Sequence, residues 1–193
     1  MTLEGYVACI CEGNAEQAIM DRLLESDKLV FDTTMLLEGE IIRCRSAKTF
    51  EDRYLKKEFS QKISVVRILD SRRENFKLSK AYKDKVEVIN IITAPEIEML
   101  IIINEGKYDK FKKSKFHKPS EYCKSELKYD SVKSFDFVYS YFSNIDDLLK
   151  SIQEYKRVSK IGKGEKSLMA FLLLVYYYEN YCSSNICQYW SGF

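Results

Sequence analysis

The sequence is poor in the residues that bind zinc and in those that make flexible linkers. It has one histidine, His117, and no pair of cysteines spaced as CxxC, so a zinc site of ordinary spacing is not expected. Seven glycines and two prolines leave little room for long linkers. Because 31 Lys and Arg stand against 29 Asp and Glu, the net charge of +2 excludes a uniformly basic nucleic-acid coat and an acidic tail.

Long hydrophobic runs are also missing. The longest covers residues 168–178, which is too short for the roughly 20 apolar residues of a bilayer-spanning helix. The N-terminus has no basic stretch followed by an apolar one, as a signal peptide would have. We therefore expect a cytoplasmic protein that does not bind membranes and whose six cysteines are reduced thiols.

What the first half of the chain does contain is an alternation of strand-like and helix-like segments. Short apolar runs predict strands at residues 7–11, 62–70 and 86–93, with weaker candidates at 29–31 and 40–44. Amphipathic spacing predicts helices at residues 15–26, 47–59 and 76–85, and from Pro95 to about residue 113. This alternation predicts an α/β fold, a mostly parallel sheet flanked by helices.

The pattern changes after about residue 110. Helices are predicted near residues 119–126, 132–142 and 144–155, followed by an apolar aromatic tail. We therefore divide the chain into an α/β domain at residues 1–110 and a helical extension with this tail at residues 111–193. The sequence leaves open the role of the tail and whether the chain forms a homo-oligomer.

Acidic residues follow three of the predicted strands. Glu12 comes directly after the first, with Glu16 one helical turn on; Asp70 ends the next clear strand, and Glu96 and Glu98 follow the last. Because parallel strands end at one edge of a sheet, these carboxylates can gather there and hold Mg²⁺ or Mn²⁺. The alternative is that the glutamates interact with helix dipoles and that the aspartate is a turn residue.

These acidic segments also resemble a known family. Residues 12–16, EGNAE, resemble the first motif of Toprim domains, in which E-G-x-x-E follows an apolar strand. Residues 70–72, DSR, stand where those domains carry Asp-x-Asp, and residues 95–103, PEIEMLIII, are similar to the P-x-x-E helix of RloB-type Toprim nucleases of bacterial anti-phage systems. The resemblance spans residues 7–105 and implies a Toprim-like, Rossmann-like fold.

The resemblance implies roles for individual residues. Glu12, Asp70 and Glu98 match catalytic acids, and together with Glu16 they match the ligands of a Mg²⁺ or Mn²⁺ ion. The implied activity is metal-dependent cleavage of RNA, tRNA included, or of DNA in anti-phage defence, often with an ATPase as partner. Arg72 departs from the motif because it replaces the second aspartate.

Arg72 leaves two interpretations open. With Arg73 it can bind the scissile phosphate, which suits the forked donors of arginine. Its positive charge beside Asp70 also lowers the affinity of the site for a cation, so it can equally indicate that catalysis has been lost.

Further basic residues favour nucleic acid as the ligand. They are Lys77, Lys112, Lys113 and Lys115. The last three lie in KFKKSKFHK, where Phe111 and Phe116 are interleaved with lysines; lysines follow a phosphate backbone and aromatic rings stack on unpaired bases. The alternative is a solvated helix face whose phenylalanines pack inward.

Two functions from different classes remain. The first is a Mg²⁺-dependent Toprim nuclease. The second is a non-catalytic Toprim-like module that binds nucleic acid or a protein, for which the incomplete Asp-x-Asp motif is the argument. Binding that persists in EDTA without cleavage distinguishes the second from the first.

Overall fold

The computed structural model describes residues 3, 5–57, 59–69, 76–93, 97–159 and 165–173. The predictions made for Asp70, Arg72, Arg73 and Glu96 therefore lie outside the described residues, as does the tail from residue 174 onward.

Three parallel strands form the sheet. They are β1 (Tyr6–Cys11), β2 (Ile63–Leu69) and β3 (Val86–Ile92), in the order β1-β2-β3. Cys11 lies opposite Ile68, and Leu69 lies opposite Ile92, so the three strands end at one edge of the sheet. Among the predicted acidic residues, Glu12 directly follows β1 at this edge.

The helices follow the strands and then fill the C-terminal half. They are α1 (Asn14–Glu25), α2 (Ala47–Phe50), α3 (Met99–Asn104), α4 (Tyr108–Lys113), α5 (Pro119–Glu126), α6 (Phe135–Tyr141) and α7 (Ile145–Val158). A π-helical turn at Glu51–Leu55 continues α2, and a 3₁₀ turn forms at Leu168–Phe171. The predicted α/β fold, with a parallel sheet, flanking helices and a helical C-terminal region, is confirmed.

Each face of the sheet buries its own apolar cluster, as alternation along a strand requires. On one face, residues such as Cys9 and Val66 pack against helices α1, α3, α6 and α7; we call this the helical face. On the other, residues such as Ile10 and Val65 pack against α2, the π-helical turn and Phe76; we call this the opposite face.

The outer edge of β1 is covered by a non-strand segment, residues 35–42. Val7 N–H donates to the Met35 carbonyl and Val7 accepts from Leu37 N–H; Cys9 accepts from Ile42 N–H, and Cys11 N–H donates to the Ile42 carbonyl. The candidate strand at residues 40–44 is therefore a single bridge rather than a strand, and the candidate at 29–31 is likewise one bridge, from Leu29 to Leu172.

Two further local predictions were wrong. Residues 76–85 form no helix: the chain makes turns around Ser79, whose N–H donates to Glu51 Oε1 at 2.5 Å. The continuous helix predicted to follow Pro95 is interrupted between α3 and α4, where Gly106 adopts φ +63°.

None of the helices in the described residues is long and apolar enough to cross a membrane.

Candidate functional site

Glu12, the first of the predicted site residues, directly follows the carboxyl end of β1. Ile10 points into the opposite face, and Glu12, two residues on, reaches the same side. Its side chain is only 8% exposed, and its Oε1 accepts a hydrogen bond from Arg67 Nη2 at 2.5 Å. Glu12 is therefore a buried carboxylate in an ion pair.

Arg67, which pairs with Glu12, is one of the residues of this site that the sequence did not predict. It occupies the centre of β2, opposite Ile10 on one side and Asn90 on the other, and it is 0% exposed. Its guanidinium carbon lies 4.5 Å from the ring centroid of Phe76, a cation–π distance. The signal was in the sequence, because a charged residue inside an otherwise apolar strand is costly to bury without a partner.

Glu16 has a local structural role at the start of α1. It is 6% exposed and is the third residue of the helix. A Cβ placed on Gly13 would lie 2.0 Å from Glu16 Oε2, so the carboxylate turns back over the N-cap residue. Glu16 stands at N3, the position from which the glutamate of a capping box reaches back to the N-cap backbone N–H.

Glu98 is buried at the start of α3. Its side chain is 4% exposed, and Lys133 Nζ, from the loop before α6, lies 3.3 Å from its Oε1. Because Lys133 is itself 63% exposed, this ion pair joins a buried acid to a solvated lysine. Like Glu12, Glu98 forms an ion pair with a basic side chain of the same chain.

An open cleft of about 430 Å³ lies beside Glu12. Its lining residues are Cys11, Glu12, Gly13, Asn14, Arg43, Cys44 and Arg45. Arg43 and Arg45 are exposed, and Arg45 Nη2 donates to the Glu12 carbonyl at 3.4 Å. The cleft thus combines two arginines with the N-terminus of α1, and both attract anions.

The segment that seals the β1 edge also delivers these two arginines. Ile42 is held against Cys9 and Cys11, and Arg43 follows it directly. Arg43 and Arg45 carry no signal in the sequence, because they lie in an irregular segment where charged residues are common. Only the pairing of that loop with β1 brings them to Glu12.

The predicted nucleic-acid-binding lysines lie on two sides of the sheet. Lys77 is exposed beside Phe76, which packs on the opposite face. Lys112, Lys113 and Lys115 are exposed in and after α4, which belongs to the helical face. They therefore do not form one patch with Lys77.

The aromatic residues among the α4 lysines pack inward. Phe111 and Phe116 place their ring centroids 5.3 Å and 5.8 Å from Tyr122, both edge to face. Tyr122 is 4% exposed, so the two rings cover a buried tyrosine. This arrangement is the alternative considered above, in which the lysines form the solvated side of a packed helix.

The donor chemistry of the acids suits Mg²⁺, but the described residues alone do not assemble a full ligand set. Carboxylate oxygens are the ligands that Mg²⁺ and Mn²⁺ prefer. In the described part of the chain, no group of three His, Cys, Asp or Glu side chains is placed to hold a metal ion. Asp70, which follows β2 in the sequence, lies outside that part.

Cys11 is not placed as a nucleophile. It is 1% exposed, and burial raises the pKa of its thiol well above the usual range, with a hydrogen bond to Cys9 acting in the same direction. Since the thiolate is the reactive form, this environment suppresses thiol chemistry. Cys11 is instead part of the apolar cluster on the helical face.

Comparisons of the chain with protein-family models, with curated proteins and with solved structures find no match.

Proposed function

We propose that the protein is a metal-dependent nuclease that cleaves phosphodiester bonds at the cleft beside Glu12. The observation that carries the proposal is the placement of a buried carboxylate, paired with an arginine, at the carboxyl edge of a parallel sheet and next to a cleft with two exposed arginines. Ligands of such sheets bind at this edge. The order of the Toprim-like motifs supports the same assignment.

The residues divide into acids and phosphate ligands. Glu12 is the proposed general base or a ligand of Mg²⁺ or Mn²⁺, and Asp70 and Glu98 are the proposed further ligands. When bound, the metal ion would supply Lewis-acid stabilisation of the phosphoryl oxygens. Arg43 and Arg45 join the predicted Arg72 and Arg73 as phosphate ligands, since arginine binds phosphate oxygens in a bidentate manner.

The substrate class is nucleic acid, RNA or DNA. Two exposed arginines and a helix N-terminus recognise the backbone phosphates, which both polymers share. The resemblance to RloB-type proteins adds a role in anti-phage defence and an ATPase partner to the proposal.

The test is cleavage by matched variants. Fluorescent single-stranded RNA, tRNA and duplex DNA are incubated with Mg²⁺ or Mn²⁺ and wild-type protein, Glu12→Gln or Asp70→Asn. Both variants are expected to lose cleavage by at least about 100-fold, the scale of a lost acid–base or metal-binding group. Glu126→Gln, an exposed acid on α5, is the control and should cleave as the wild type does. Wild-type rates in Glu12→Gln would refute the assignment.

A second function, a non-catalytic binding module, is favoured by a different observation. Glu12 is paired with Arg67, Glu98 with Lys133, and Glu16 closes the start of α1, so each described acid has a structural partner. This module would bind nucleic acid equally well with Mg²⁺ and with EDTA, and no substrate would be cleaved.

A further inference from the structure

We infer that Arg67 is the positioning residue of the site: it holds the Glu12 carboxylate in the orientation that phosphodiester cleavage needs. The inference rests on the proposed nuclease function and adds a residue to it. Arg67 lies inside the sheet and does not line the cleft, so it acts through Glu12 and not on the substrate.

The position of Arg67 in the strand argues against simple filling of the core. On the same face of β2, Ile63 and Val65 are apolar and buried, and both belong to the apolar cluster there. An apolar side chain at position 67 would continue that pattern without a desolvation cost. Buried ion pairs are often no more stabilising than apolar residues of similar volume, so stability alone does not account for an arginine here.

The contacts of Arg67 give it a defined orientation. Its Nη2 donates to Glu12 Oε1 at 2.5 Å, and the ring of Phe76 lies under the guanidinium at 4.5 Å. A planar group held by a ring on one side and by a hydrogen bond at one edge has little freedom to rotate. The carboxylate that accepts this bond is therefore held in place as well.

Glu12 accepts hydrogen bonds from two arginines that belong to different segments. Arg67 from β2 binds its side chain, and Arg45 from the loop before α2 binds its carbonyl. The first contact orients the carboxylate, and the second is a longer contact, at 3.4 Å, from an exposed side chain to the backbone from which the carboxylate projects. Reaction rates respond steeply to such placement, because a displacement of about 1 Å can cost about 100-fold.

The experiment compares Arg67→Met, Arg67→Lys and Phe76→Leu with wild-type protein. We measure kcat and KM on the substrate that wild-type protein cleaves fastest in the assay described above. We also measure the Kd for that substrate in EDTA, and Tm. We expect Arg67→Met to lower kcat by about 100-fold with KM and Kd within about twofold of wild type. Arg67→Lys, which keeps a cationic donor, should recover about tenfold of that loss.

Two variants separate positioning from loss of stability. Val66→Ala removes a fully buried side chain from the helical face of the same strand, away from Glu12, and should lower Tm while leaving kcat unchanged. Phe76→Leu leaves both charges in place and removes only the ring under the guanidinium, so it tests the inference even if Arg67→Met does not fold. It should lower kcat severalfold without a change in KM.

The outcomes are distinct. Wild-type kcat in folded Arg67→Met, or in Phe76→Leu, overturns the inference and leaves the nuclease assignment intact. A fall in kcat that tracks Tm equally in Val66→Ala and Arg67→Met also overturns it, since the role would then be structural. If wild-type protein cleaves none of the substrates, the proposed function fails, and the inference that depends on it fails too.

Discussion

Asp21 is a described side chain whose negative charge lowers the stability of the folded state. It is half-buried in α1, and burial raises the pKa of its carboxyl from 3.8 to about 6, with repulsion from Glu25 adding to the effect. A hydrogen bond to Gln17 acts in the opposite direction but does not offset the burial. The folded protein therefore holds this proton more tightly than the unfolded chain does.

The pH dependence of stability follows from the direction of that shift. An acid whose pKa is raised on folding gives its full stabilisation below about pH 4 and loses it as the pH rises to about 6. Asp21→Asn removes the charge, so its Tm should exceed that of wild type at pH 7, and the difference should shrink towards pH 4.

Differential scanning calorimetry at the two pH values measures this difference. Asp84→Asn, a change at a highly exposed carboxylate, is the control and should alter Tm little at either pH. The explanation is wrong if Asp21→Asn shifts Tm by the same amount at both.

At the scale of single residues, the sequence predicted the position of Glu12 after β1 but not the cations that surround it. Glu12 follows a recognisable strand, and its position at the strand end was sufficient. Arg67 was hidden because a predicted buried strand is recognised by its apolar residues, and Arg43 because its position depends on a bridge between distant segments. Such partners follow from tertiary pairing and not from local pattern.

Helix α1 shows how the Gly-x-x-Glu spacing builds an element. Gly13 has φ −109°, which any residue adopts, so its conformation does not require glycine. What requires it is space: a Cβ would lie 2.0 Å from the Glu16 carboxylate. The glycine allows the glutamate to close the start of the helix.

A double-mutant cycle tests this pairing. Gly13→Ala should displace the Glu16 carboxylate and cost about 1 kcal/mol, the usual worth of a helix cap. In a Glu16→Ala background the carboxylate is gone, and the cost should fall to less than half, leaving only the ordinary preference for glycine over alanine at an N-cap. Urea unfolding followed by circular dichroism gives the four free energies. Equal costs in both backgrounds would show that the close approach is not what selects glycine.

At the scale of elements, strong apolar patterns predicted well and weak ones did not. The three strands and α5 appear where apolar runs and Pro119 placed them. The segment 76–85 contains residues that favour helices, but most of the stability of a helix in a protein comes from a packed apolar face. Here the Ser79 N–H donates to the Glu51 side chain, and the segment forms turns instead of a helix.

At the scale of the whole molecule, the helical C-terminal region and the sheet share one apolar cluster. The cluster on the helical face contains Val7 and Val66 from the strands as well as Val138 from α6 and Leu149 from α7. Contacts between α3 and α7 continue it across the described chain. The two parts should therefore unfold together.

Leu149→Ala tests this cooperativity. Leu149 is 0% exposed, and its truncation should cost about 2–5 kcal/mol, as for other buried leucines. Because the cluster is shared, the variant should shift one transition in urea, detected equally by circular dichroism and by hydrogen exchange in β1. An early transition confined to α5–α7, with β1 still protected, would show that the helical region unfolds separately.

The covering of β1 by residues 35–42 also limits how the molecule associates with others. The N–H and carbonyl of Val7, the carbonyl of Cys9 and the N–H of Cys11 are already bonded within the chain. An incoming peptide therefore finds no template for strand addition along β1, and β-augmentation at this edge is closed. A slip of the covering segment along β1 would do more than open that edge, because it would also carry Arg43 and Arg45 away from Glu12. Protection from edge-to-edge aggregation and the basic character of the cleft are thus maintained by the same few backbone hydrogen bonds.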